Sequence, residues 1–446
     1  MTLMMSVSGV RGIVGRTMTP TLATELACAF GADLGGGRVV LARDSRPSGE
    51  MIRAAVAAGL LASGCTVIDL GVVTTPSAAL MIGELGAVAG VVITASHNPI
   101  EWNGIKLLCQ RGHALPAADA QRVYDRYHAK DFALRDATGC GRMERDGSTN
   151  ERHVAKILTL LNVDAIRSCQ YHVVLDSVNG AGGEGGRRLL EALGCKVTHL
   201  NAEPTGRFAH TPEPTAENLT GLCDAVKQAG ADLGFAQDPD ADRLAVVDDK
   251  SRYIGEEYTF ALAAKEVFSM RPGPAAANLS TSRMIDDLAA QAGGGAIVHR
   301  TAVGEANVAS AVLDKQCVIG GEGNGGVIDP RVVAVRDSFT GMGLVLNLLA
   351  RTGQRLSSIV DAMPRYVMVK RKLEMPAAQI APWLERVRSA AANDARVDTC
   401  DGVRIDWPQG WVHVRPSNTE PIARVIAEAS DEATANELAR RVMALR

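Results

Sequence analysis

The sequence predicts an α/β protein of four domains, in which the first three are related α/β layers and the last is a smaller α+β domain. The length of 446 residues suggests roughly three domains as a first expectation. A weak internal repeat fills the first three quarters of the chain, and each copy reads as apolar strand, polar loop, helix, glycine and second apolar strand. The pattern changes after Pro364, and that change favours four domains over three.

The first copy of the repeat opens with a predicted strand at Gly37–Leu41 and a polar loop at Ala42–Gly49. A helix is predicted from about Glu50, with Ser48 as its N-cap, because a serine oxygen can accept from the free amides at a helix start. The next strand is predicted at Thr66–Leu70. Strand–helix–strand units of this length imply parallel pairing through right-handed crossovers.

The same order of elements recurs twice more along the chain. In the second copy the strand, helix and strand are predicted at His172–Leu175, about Glu184–Leu193 and Lys196–Leu200. In the third copy they are predicted at Ala275–Leu279, about Arg283–Ala292 and Ala296–His299. Each copy therefore predicts one α/β layer domain.

Polar segments mark the predicted domain boundaries, which divide the chain into residues 1–150, 151–250, 251–364 and 365–446. Thr138–Asn150 is polar and contains glycine, Asp248–Tyr253 is charged, and Met363–Arg365 follows a helical pattern. The elements predicted for the fourth domain are a strand at Tyr366–Leu373, a helix at Ile380–Ala392, strands at Gly402–Asp406 and Trp411–Val414, and a helix at about Glu432–Leu445.

Composition argues against several classes of partner and location. A formal charge of −3, from 47 basic and 50 acidic residues, gives no electrostatic case for nucleic acid or an anionic membrane. Aromatic residues make up only 4%, which disfavours broad stacking surfaces. The nine cysteines form no Cys-x-x-Cys pair and are typical of free thiols in a reducing cytosol. We find no signal-peptide pattern and no bilayer-length apolar run, so we expect a cytoplasmic protein.

The segment 94–106 is the first candidate for chemistry. A predicted buried strand at Ala89–Thr94 ends just before Ser96, and Asn98-Pro99 forces a turn there. A second turn returns Lys106 beside the serine. Backbone amides in such a loop can bind an anion. An ordinary turn would explain Ser-Asn-Pro alone, but the longer string favours phosphoryl transfer through a serine hydroxyl.

Three alternating carboxylates, Asp238, Asp240 and Asp242, close another apolar run. Ligation by oxygen alone suits Mg²⁺ or Ca²⁺. A calcium EF-hand is disfavoured, because its sixth loop position requires glycine and here is Arg243. The alternative is a solvated acidic turn. This alternative is disfavoured if Ser96 carries a phosphate nearby, because three unpaired carboxylates would need a cation to offset their repulsion with that phosphate.

Two later loops are candidates for binding. Arg415–Pro421 lies between predicted strands and is followed by Arg424, and its guanidinium, hydroxyls and free amides could cradle a phosphate. A hairpin turn with a surface arginine is equally compatible with that loop. Gly320–Gly326 is a tight loop whose Glu322 and Asn324 could bond to sugar hydroxyls. A flexible glycine linker is disfavoured there, because apolar residues flank both ends.

A third glycine-bearing turn favours a different class of enzyme. Gly180, Gly182 and Gly185 match the G-x-G-x-x-G fingerprint of dinucleotide binding, although the acidic residue expected after the next strand is missing. A nicotinamide or flavin oxidoreductase is therefore open but disfavoured, and a glycine-rich strand–helix turn is the simpler alternative. The N-terminal segment Ser8–Gly12 is either a flexible arm or a means of bringing Arg11 to a phosphate.

Together these strings resemble the α-D-phosphohexomutase superfamily, which includes phosphoglucomutase, phosphomannomutase and phosphoglucosamine mutase. The resemblance covers nearly the whole chain in the family's order, with matching motifs at Ser8–Gly12, Ala42–Gly49, Thr94–Lys106, Asp238–Arg243, Gly321–Gly326 and Arg415–Pro421. It implies four domains around one central cleft and an intramolecular phosphotransferase of the isomerase class.

The resemblance also implies a mechanism and a set of site residues. One Mg²⁺ per active site would be held by phosphorylated Ser96 with Asp238, Asp240 and Asp242, and a hexose 1,6-bisphosphate would serve as intermediate and activator. The implied catalytic residues are Ser96, Lys106, Arg11 and His97, with Lys106 as a hypothetical general base. The implied substrate-binding residues are Arg243, Glu322, Asn324, Arg415, Ser417, Asn418, Thr419 and Arg424.

Three positions depart from the family pattern. Asn324 replaces a serine, Asn418 a frequent glycine, and Gly326 a histidine, so any proton role of that histidine must be absent or filled elsewhere. These variants resemble archaeal-type members, among which both phosphoglucosamine mutases and dual phosphoglucomutase/phosphomannomutases occur. A glucosamine phosphate is the first expected substrate, and glucose or mannose phosphates are the alternative. A phosphoserine-dependent phosphatase and a silent sugar-phosphate binder stay open.

Overall fold

The computed structural model describes residues 3–391, 395–416 and 422–446. Within these residues the strands form four separate sheets, each with its own helices. We number the sheet-centred units domains I to IV in chain order. The chain therefore folds as three α/β layers and a final α+β domain, as the repeat predicted.

Domain I is a mixed sheet with helices on both faces. Its strands are β1 Met4–Ser6, β2 Gly9–Ile13, β3 Gly37–Arg43, β4 Cys65–Val72, β5 Ala89–Ile93, β6 Trp102–Cys109 and β7 Met143–Arg145. Its helices are α1 Pro20–Leu34, α2 Gly49–Ala62, α3 Thr75–Glu84 and α4 Ala117–Ala129. The strand order is β1-β2-β6-β5-β3-β4-β7. Because β3 is parallel to β4 and β5, their carboxyl ends open at one edge.

Domain II repeats this plan on a smaller sheet. Its strands are β8 His172–Asp176, β9 Lys196–Leu200, β10 Leu233–Gln237 and β11 Leu244–Val247, in the order β11-β10-β8-β9. Its helices are α5 Thr149–Leu158, α6 Val163–Cys169, α7 Gly183–Ala192 and α8 Thr220–Ala229. The parallel pairs β8–β9 and β8–β10 confirm the predicted crossovers.

Domain III has the same construction. Its strands are β12 Ala275–Asn278, β13 Val298–Thr301, β14 Ile319–Glu322 and β15 Gly326–Ile328, in the order β13-β12-β14-β15. Its helices are α9 Glu256–Met270, α10 Met284–Ala292, α11 Glu305–Asp314, α12 Ser338–Thr352 and α13 Leu356–Asp361. The strand β13 begins at Val298 rather than Ala296, because the Ala296 amide closes a turn onto the Gly293 carbonyl.

Domain IV is antiparallel throughout its described strands. These are β16 Val367–Glu374, β17 Arg396–Asp398, β18 Val403–Trp407, β19 Gly410–Pro416 and β20 Ile422–Ala429, in the order β16-β20-β19-β18-β17. Helices α14 Ala377–Ala391 and α15 Glu432–Met443 pack against this sheet. Trp383 and Trp411 are fully buried, and burial of such rings supplies much of the stability of a small domain.

Domains I, II and III share one apolar core, in which α12 is buried along most of its length. A polar network crosses the same junction. The fully buried His153 of α5 faces the Ser77 hydroxyl of α3 at 2.8 Å and the Asp337 carboxylate at 3.0 Å. Asp337 also caps α12 by accepting from the amides of Phe339 and Thr340. One hydrogen-bonded chain therefore fixes the three domains relative to one another.

One predicted detail of domain I is wrong. Ser48 stands at the N-cap position of α2, but its side chain makes no capping hydrogen bond. Its backbone is already helical, with φ −69° and ψ −13°, whereas a capping residue normally has an extended backbone. The Ser48 hydroxyl instead accepts from the Asn103 side chain at 2.9 Å.

Among the described helices, none is both long and apolar enough to cross a bilayer.

Candidate active site

The loop that carries Ser96 follows β5 and is held by one buried arginine. Arg46 donates to the carbonyl oxygens of Ser96 at 2.6 Å, Asn98 at 2.7 Å and Pro99 at 2.8 Å. Its charge is balanced by Asp44 at 3.1 Å, and both side chains are fully buried. Ser96 itself has a left-handed φ of 50°. That conformation is uncommon for a residue other than glycine, so the surrounding bonds hold the hydroxyl in place.

The three aspartates follow β10 and lie directly opposite this loop. Asp238, Asp240 and Asp242 are fully buried, and one oxygen from each lies within 4.8 Å of the others. The Ser96 hydroxyl donates to Asp238 Oδ2 at 2.8 Å. Ala241 has a φ of 53°, which curls the loop between the last two carboxylates. The structure thus brings together the serine and the carboxylates that sequence spacing left 142 residues apart.

Two helix starts abut the aspartate loop. At the start of α3, the Thr75 amide donates to the Asp240 carbonyl at 3.0 Å, and its hydroxyl donates to Asp240 Oδ2 at 2.6 Å. At the start of α12, the Ser338 amide donates to the Ala241 carbonyl at 3.2 Å. The amino-terminal end of a helix carries partial positive charge. Both helices therefore help to stabilise a loop crowded with carboxylates.

Two side-chain cations also reach the aspartates. Lys106 donates to Asp240 Oδ2 at 2.7 Å and to Asp242 Oδ2 at 3.3 Å. Arg336 donates to Asp242 Oδ2 at 2.6 Å. Burial alone would raise the pKa of Asp242, but Arg336, Lys106 and Arg243 outweigh it and hold that pKa below the usual range. Burial would lower the pKa of Lys106, but Asp240 and Asp242 raise it.

At Asp238, burial and nearby charges shift the pKa in the direction opposite to that at Asp242. Burial and the neighbouring carboxylates of Asp242 and Asp240 raise its pKa well above the ordinary value. Asp240 Oδ1 and Asp242 Oδ1 are buried and have no hydrogen-bond partner among the described residues. Unpaired buried carboxylate oxygens are costly. This donor set fits a hard divalent cation such as Mg²⁺, which prefers oxygen ligands.

Arg11, His97 and Arg243 border the same site. Arg11 donates to Asn98 Oδ1 at 2.9 Å, and His97 Nδ1 lies 3.4 Å from the Ser96 hydroxyl. Burial, Arg243 and Arg11 lower the pKa of His97 to about 2, so its imidazole is neutral. Arg243 Nε is buried without a hydrogen-bond partner in the described chain. A donor of that kind is available for an anionic ligand.

The glycine-rich loop between β14 and β15 forms the opposite wall of the cleft. Glu322 accepts from Asn278 at 2.7 Å and from Arg336 at 2.7 Å. Asn324 Oδ1 is buried and has no partner among the described residues. Both side chains line a cavity of about 240 Å³, together with Arg11, His97, Lys106 and Arg243. That cavity adjoins a larger one of about 730 Å³, and the two share Arg11 among their lining residues.

The domain IV end of the cleft is described only in part. Arg415 and Arg424 are register partners on β19 and β20. Arg415 pairs with Asp401 at 3.1 Å, and Asp401 accepts from the Val303 amide of domain III at 3.0 Å. Arg424 Nε is buried and unpartnered within the described chain. The predicted phosphate-binding residues Ser417, Asn418 and Thr419 lie outside the described residues.

Comparison with known proteins decides the family. Four domain models described as phosphoglucomutase/phosphomannomutase match in order, with alpha/beta/alpha domains I, II and III at residues 3–134, 151–252 and 255–366 and the C-terminal domain at residues 368–445. The chain belongs to the phosphoglucomutase/phosphomannomutase family. The resemblance inferred from the motifs is thereby confirmed.

Individual relatives agree with this family. The chain is 39% identical over 436 residues to a "Phosphoglucomutase/phosphomannomutase" of Thermococcus kodakarensis, covering 96% of this chain and 95% of that protein. It is 38% identical over 435 residues to a "Probable phosphoglucosamine mutase" of Methanopyrus kandleri, covering 97% and 95%. The X-ray structure of a Burkholderia thailandensis family protein superposes with a TM-score of 0.86 at 28% identity, covering 99% of this chain and 98% of that one.

These likenesses confirm the predicted four-domain fold and the enzyme class. The protein is a phosphohexomutase, and it belongs with the isomerases that transfer a phosphoryl group intramolecularly. The alternative dinucleotide motif has a structural explanation. A side chain at Gly180 would collide with the Pro239 backbone, and one at Gly182 would collide with Gln237. The glycines of this phosphohexomutase therefore let the turn between β8 and α7 come close to Gln237 and Pro239.

Sequence reasoning missed several residues of this phosphohexomutase site. Arg46 lies in the motif at residues 42–49, but only the fold shows that it clamps the serine loop. Thr75 carried no signal beyond its place after a strand. Arg336 and Glu305 lie in segments without a recognised motif. Gly326, which stands where the family pattern has a histidine, was a signal in the sequence that could have pointed to this region. The structure explains it, because a side chain at Gly326 would collide with Arg336 Cδ.

Proposed function

We propose that this phosphohexomutase is Mg²⁺-dependent and moves a phosphoryl group between the 1- and 6-positions of glucosamine phosphate through phosphorylated Ser96. The hydrogen bond of 2.8 Å between the Ser96 hydroxyl and Asp238 Oδ2 carries the proposal. It puts a potential phosphate carrier next to a buried all-carboxylate cluster, the arrangement that phosphoryl transfer requires. A hexose 1,6-bisphosphate is the intermediate and also primes the unphosphorylated enzyme.

Each transfer exchanges one P–O bond for another. The oxygen of a sugar hydroxyl forms a bond to phosphorus while the bond from phosphorus to Ser96 Oγ breaks, and the proton that leaves the sugar hydroxyl is balanced by the proton that the released Ser96 Oγ takes up. The sugar, now a bisphosphate, turns over in the cleft, and Ser96 retakes the other phosphoryl group. The combined openings of about 240 and about 730 Å³ are of the size that binds small molecules. Bound Mg²⁺ would neutralise charge on the transferring group.

The residues of the chain mainly position and balance charge. Asp238, Asp240 and Asp242 would hold the cation. Arg11 and Arg243 border the serine and are suited to a phosphate oxygen, since guanidinium groups bind such oxygens with good geometry. The ion pairs of Lys106 with Asp240 and Asp242 favour a charge-balancing role. Its role as general base stays a prediction, which full turnover in Lys106→Ala would contradict.

Glu322 and Asn324 would recognise the sugar. Arg415, Arg424 and the loop between them would bind the phosphate that is not transferred. Asn324 Oδ1 supports this, because a buried acceptor without a partner can receive a sugar hydroxyl. Arg424 Nε supports it in the same way at the domain IV end. Neither group would have to give up a hydrogen bond to another described residue in order to bind a ligand.

The chemistry is tested by intact mass of the purified protein after incubation with a hexose 1,6-bisphosphate. We expect one added phosphoryl group in the wild type and none in Ser96→Ala. The matched control is Ser430→Ala, which alters an exposed serine of domain IV and should still gain the group. A phosphoryl group that persists in Ser96→Ala would reject Ser96 as its carrier.

The preferred sugar is tested by kcat/KM for glucosamine 1-phosphate, mannose 1-phosphate and glucose 1-phosphate, each with its bisphosphate as activator. We expect glucosamine 1-phosphate to dominate, as the name of the Methanopyrus kandleri relative suggests. The Thermococcus kodakarensis relative favours the alternative, phosphoglucomutase/phosphomannomutase. A dominant rate on mannose 1-phosphate would reject our first choice. Release of inorganic phosphate in place of isomer would indicate a phosphatase.

A further inference from the structure

Arg336 joins three separate segments that line the cleft. Its Nη2 donates to Asp242 Oδ2 at 2.6 Å, and its Nη1 donates to Glu322 Oε2 at 2.7 Å. Its backbone amide donates to Glu305 Oε1, at the start of α11, at 2.8 Å. The side chain is 9% exposed. One guanidinium therefore bonds simultaneously to the proposed cation site and to the proposed sugar-binding carboxylate.

The charge on this guanidinium is permanent. Burial would lower the pKa of Arg336, but the carboxylates of Asp242, Glu305 and Glu322 raise it well above its ordinary value. The two terminal nitrogens of an arginine are held in one rigid plane. When Asp242 shifts, the guanidinium must shift with it, and Glu322 must follow or lose its bond.

The backbone around Arg336 is anchored, so the side chain is the part free to respond. The next residue, Asp337, caps α12 and donates its amide to the Val327 carbonyl at 2.8 Å. The path of the side chain depends on Gly326, because any Cβ there would collide with Arg336 Cδ. The start of β11, directly after the aspartate loop, also contacts the glycine-rich loop between β14 and β15, because the Leu244 amide donates to the Gly325 carbonyl at 3.0 Å.

We propose that Arg336 is a positioning residue that couples the aspartate loop to Glu322, so that cation binding and sugar-phosphate binding strengthen each other. The proposal rests on the proposed function, because it takes Asp242 as a cation ligand and Glu322 as a sugar ligand. A cation on the aspartates draws Asp242 into a fixed position. Arg336 then fixes Glu322 in the orientation that accepts sugar hydroxyls.

Such coupling is reciprocal by thermodynamic necessity. If a bound cation tightens sugar-phosphate binding by some factor, the sugar phosphate tightens cation binding by the same factor. The effect can therefore be measured by binding alone, without turnover. Coupling between sites in proteins typically amounts to about 5- to 150-fold in affinity.

The test is calorimetric titration of Mg²⁺ into the full-length, dephosphorylated protein, with and without a saturating sugar monophosphate. The probe is whichever of glucosamine 6-phosphate and glucose 6-phosphate binds more tightly, and intact mass verifies that Ser96 is unmodified. We expect the sugar phosphate to tighten Mg²⁺ binding by at least about fivefold in the wild type. In Arg336→Met the change should fall below about twofold. Arg336→Lys keeps the charge but not the two-pronged geometry, so its coupling should be intermediate.

The matched control is Arg331→Met. Arg331 lies in the same segment and pairs with the buried Asp329 at 2.6 Å, but it does not line the cleft. This variant should keep the wild-type coupling. If Arg336→Met does not fold, judged by thermal unfolding, Arg336→Lys and Gly326→Ala decide the matter, because both disturb the two-pronged contact and keep a positive charge near Asp242 and Glu322.

Two results would overturn the inference: no tightening in the wild type, or wild-type coupling in the Arg336 variants. Failure of the proposed function looks different. A wild type that binds Mg²⁺ and sugar phosphate cooperatively, yet gains no phosphoryl group on Ser96, would reject phosphoryl transfer and leave the role of Arg336 standing.

Discussion

The two ends of the cleft differ in the charges that meet there. At the aspartate end, carboxylates from domain II face cations from domains I and III at short range; the aspartates are fully buried, and the side chains of Lys106 and Arg336 are 10% and 9% exposed. At the boundary between domains III and IV, two carboxylates, Glu257 and Glu428, face each other. That boundary also contains short hydrogen bonds, from the Arg283 amide to Glu428 at 2.9 Å and from Arg404 to the Leu279 carbonyl, beside longer ones from the Arg283 side chain to the Trp407 and Pro408 carbonyls at 3.2 and 3.3 Å.

The difference indicates how the two ends work. Buried opposite charges fix geometry, and fixed geometry is what charge stabilisation in a transition state needs. Facing like charges weaken a boundary, so the boundary between domains III and IV should open at a lower cost than the aspartate end. We therefore expect cation binding to set the aspartate end through small side-chain shifts, and domain IV to move as a whole when substrate binds. The linker near Pro364 predicts a swing of domain IV, and small-angle scattering with and without ligand would detect it.

The largest expected effect concerns charge at the aspartate end. Asp238→Asn should lower kcat by about 10³-fold, because a cation ligand is lost and metal stabilisation amounts to several kcal/mol. Without divalent cations the same variant should unfold at no lower urea concentration than the wild type, since burial and the carboxylates of Asp242 and Asp240 already disfavour its charge.

Asp249→Asn is the matched control for this prediction. Asp249 accepts from the Ser357 amide at 2.7 Å and from its hydroxyl at 3.0 Å, outside the cleft. It should lose stability and keep full activity. An active Asp238→Asn enzyme would contradict the idea that this end is built for a cation.

The next effect is on stability. Arg46→Met should lower the free energy of unfolding by about 3–5 kcal/mol, because it leaves Asp44 as a buried charge without its partner. It also frees three carbonyl oxygens of the Ser96 loop. Arg187→Met in α7 should cost less than about 1 kcal/mol, because both Arg187 and its partner Glu191 are exposed. Urea unfolding measures both, and equal costs would mean that the serine loop is not specially fixed.

A smaller effect is expected at the domain IV end. Arg424→Met should raise KM for the sugar phosphate by about 10- to 100-fold, with a smaller change in kcat, because a charged hydrogen bond to a remote phosphate is worth about 1.5–3 kcal/mol. Steady-state kinetics separate the two constants. The control is Arg441→Met in α15, whose guanidinium lies 4.9 Å from the Trp407 ring. A loss confined to kcat in Arg424→Met would assign that end to chemistry rather than to binding.

Sequence alone located the centre of the site because both halves follow strand ends. Ser96 follows β5 and Asp238 follows β10, and each was predicted from an apolar run closed by polar residues. The strand–helix–strand repeat likewise predicted the parallel pairs in domains I, II and III. These inferences needed only local patterns, which hydrophobic periodicity carries well.

The residues that sequence missed act across domain boundaries. Arg336 reaches Asp242 from 94 positions away, and its place depends on how domain III docks on domain II. The Ser48 cap was wrong for a related reason, since Asn103 from a distant strand takes its hydroxyl. Local propensity does not encode such competition between partners, so only the assembled fold reveals it.

The smallest expected effect tests the boundary between domains III and IV through pH. Burial and the facing carboxylate of Glu428 raise the pKa of Glu257 to about 8. Folding therefore keeps a proton that the unfolded chain loses near its ordinary value of 4.5. The contribution of Glu257 to stability is complete below that value and is lost as pH rises through about 8, with a slope of at most about 1.4 kcal/mol per pH unit.

Glu257→Gln should flatten that decline, because the amide cannot ionise but can still accept from the Ser282 amide, as the carboxylate does at 2.9 Å. Glu256→Gln alters the neighbouring carboxylate, which points to Lys370 at 3.8 Å, and should keep the wild-type slope. Urea midpoints between pH 5 and 9 provide the measurement. If Glu257→Gln and the wild type decline in parallel, like-charge repulsion does not loosen this boundary, and the electrostatic contrast between the two ends of the cleft would be lost.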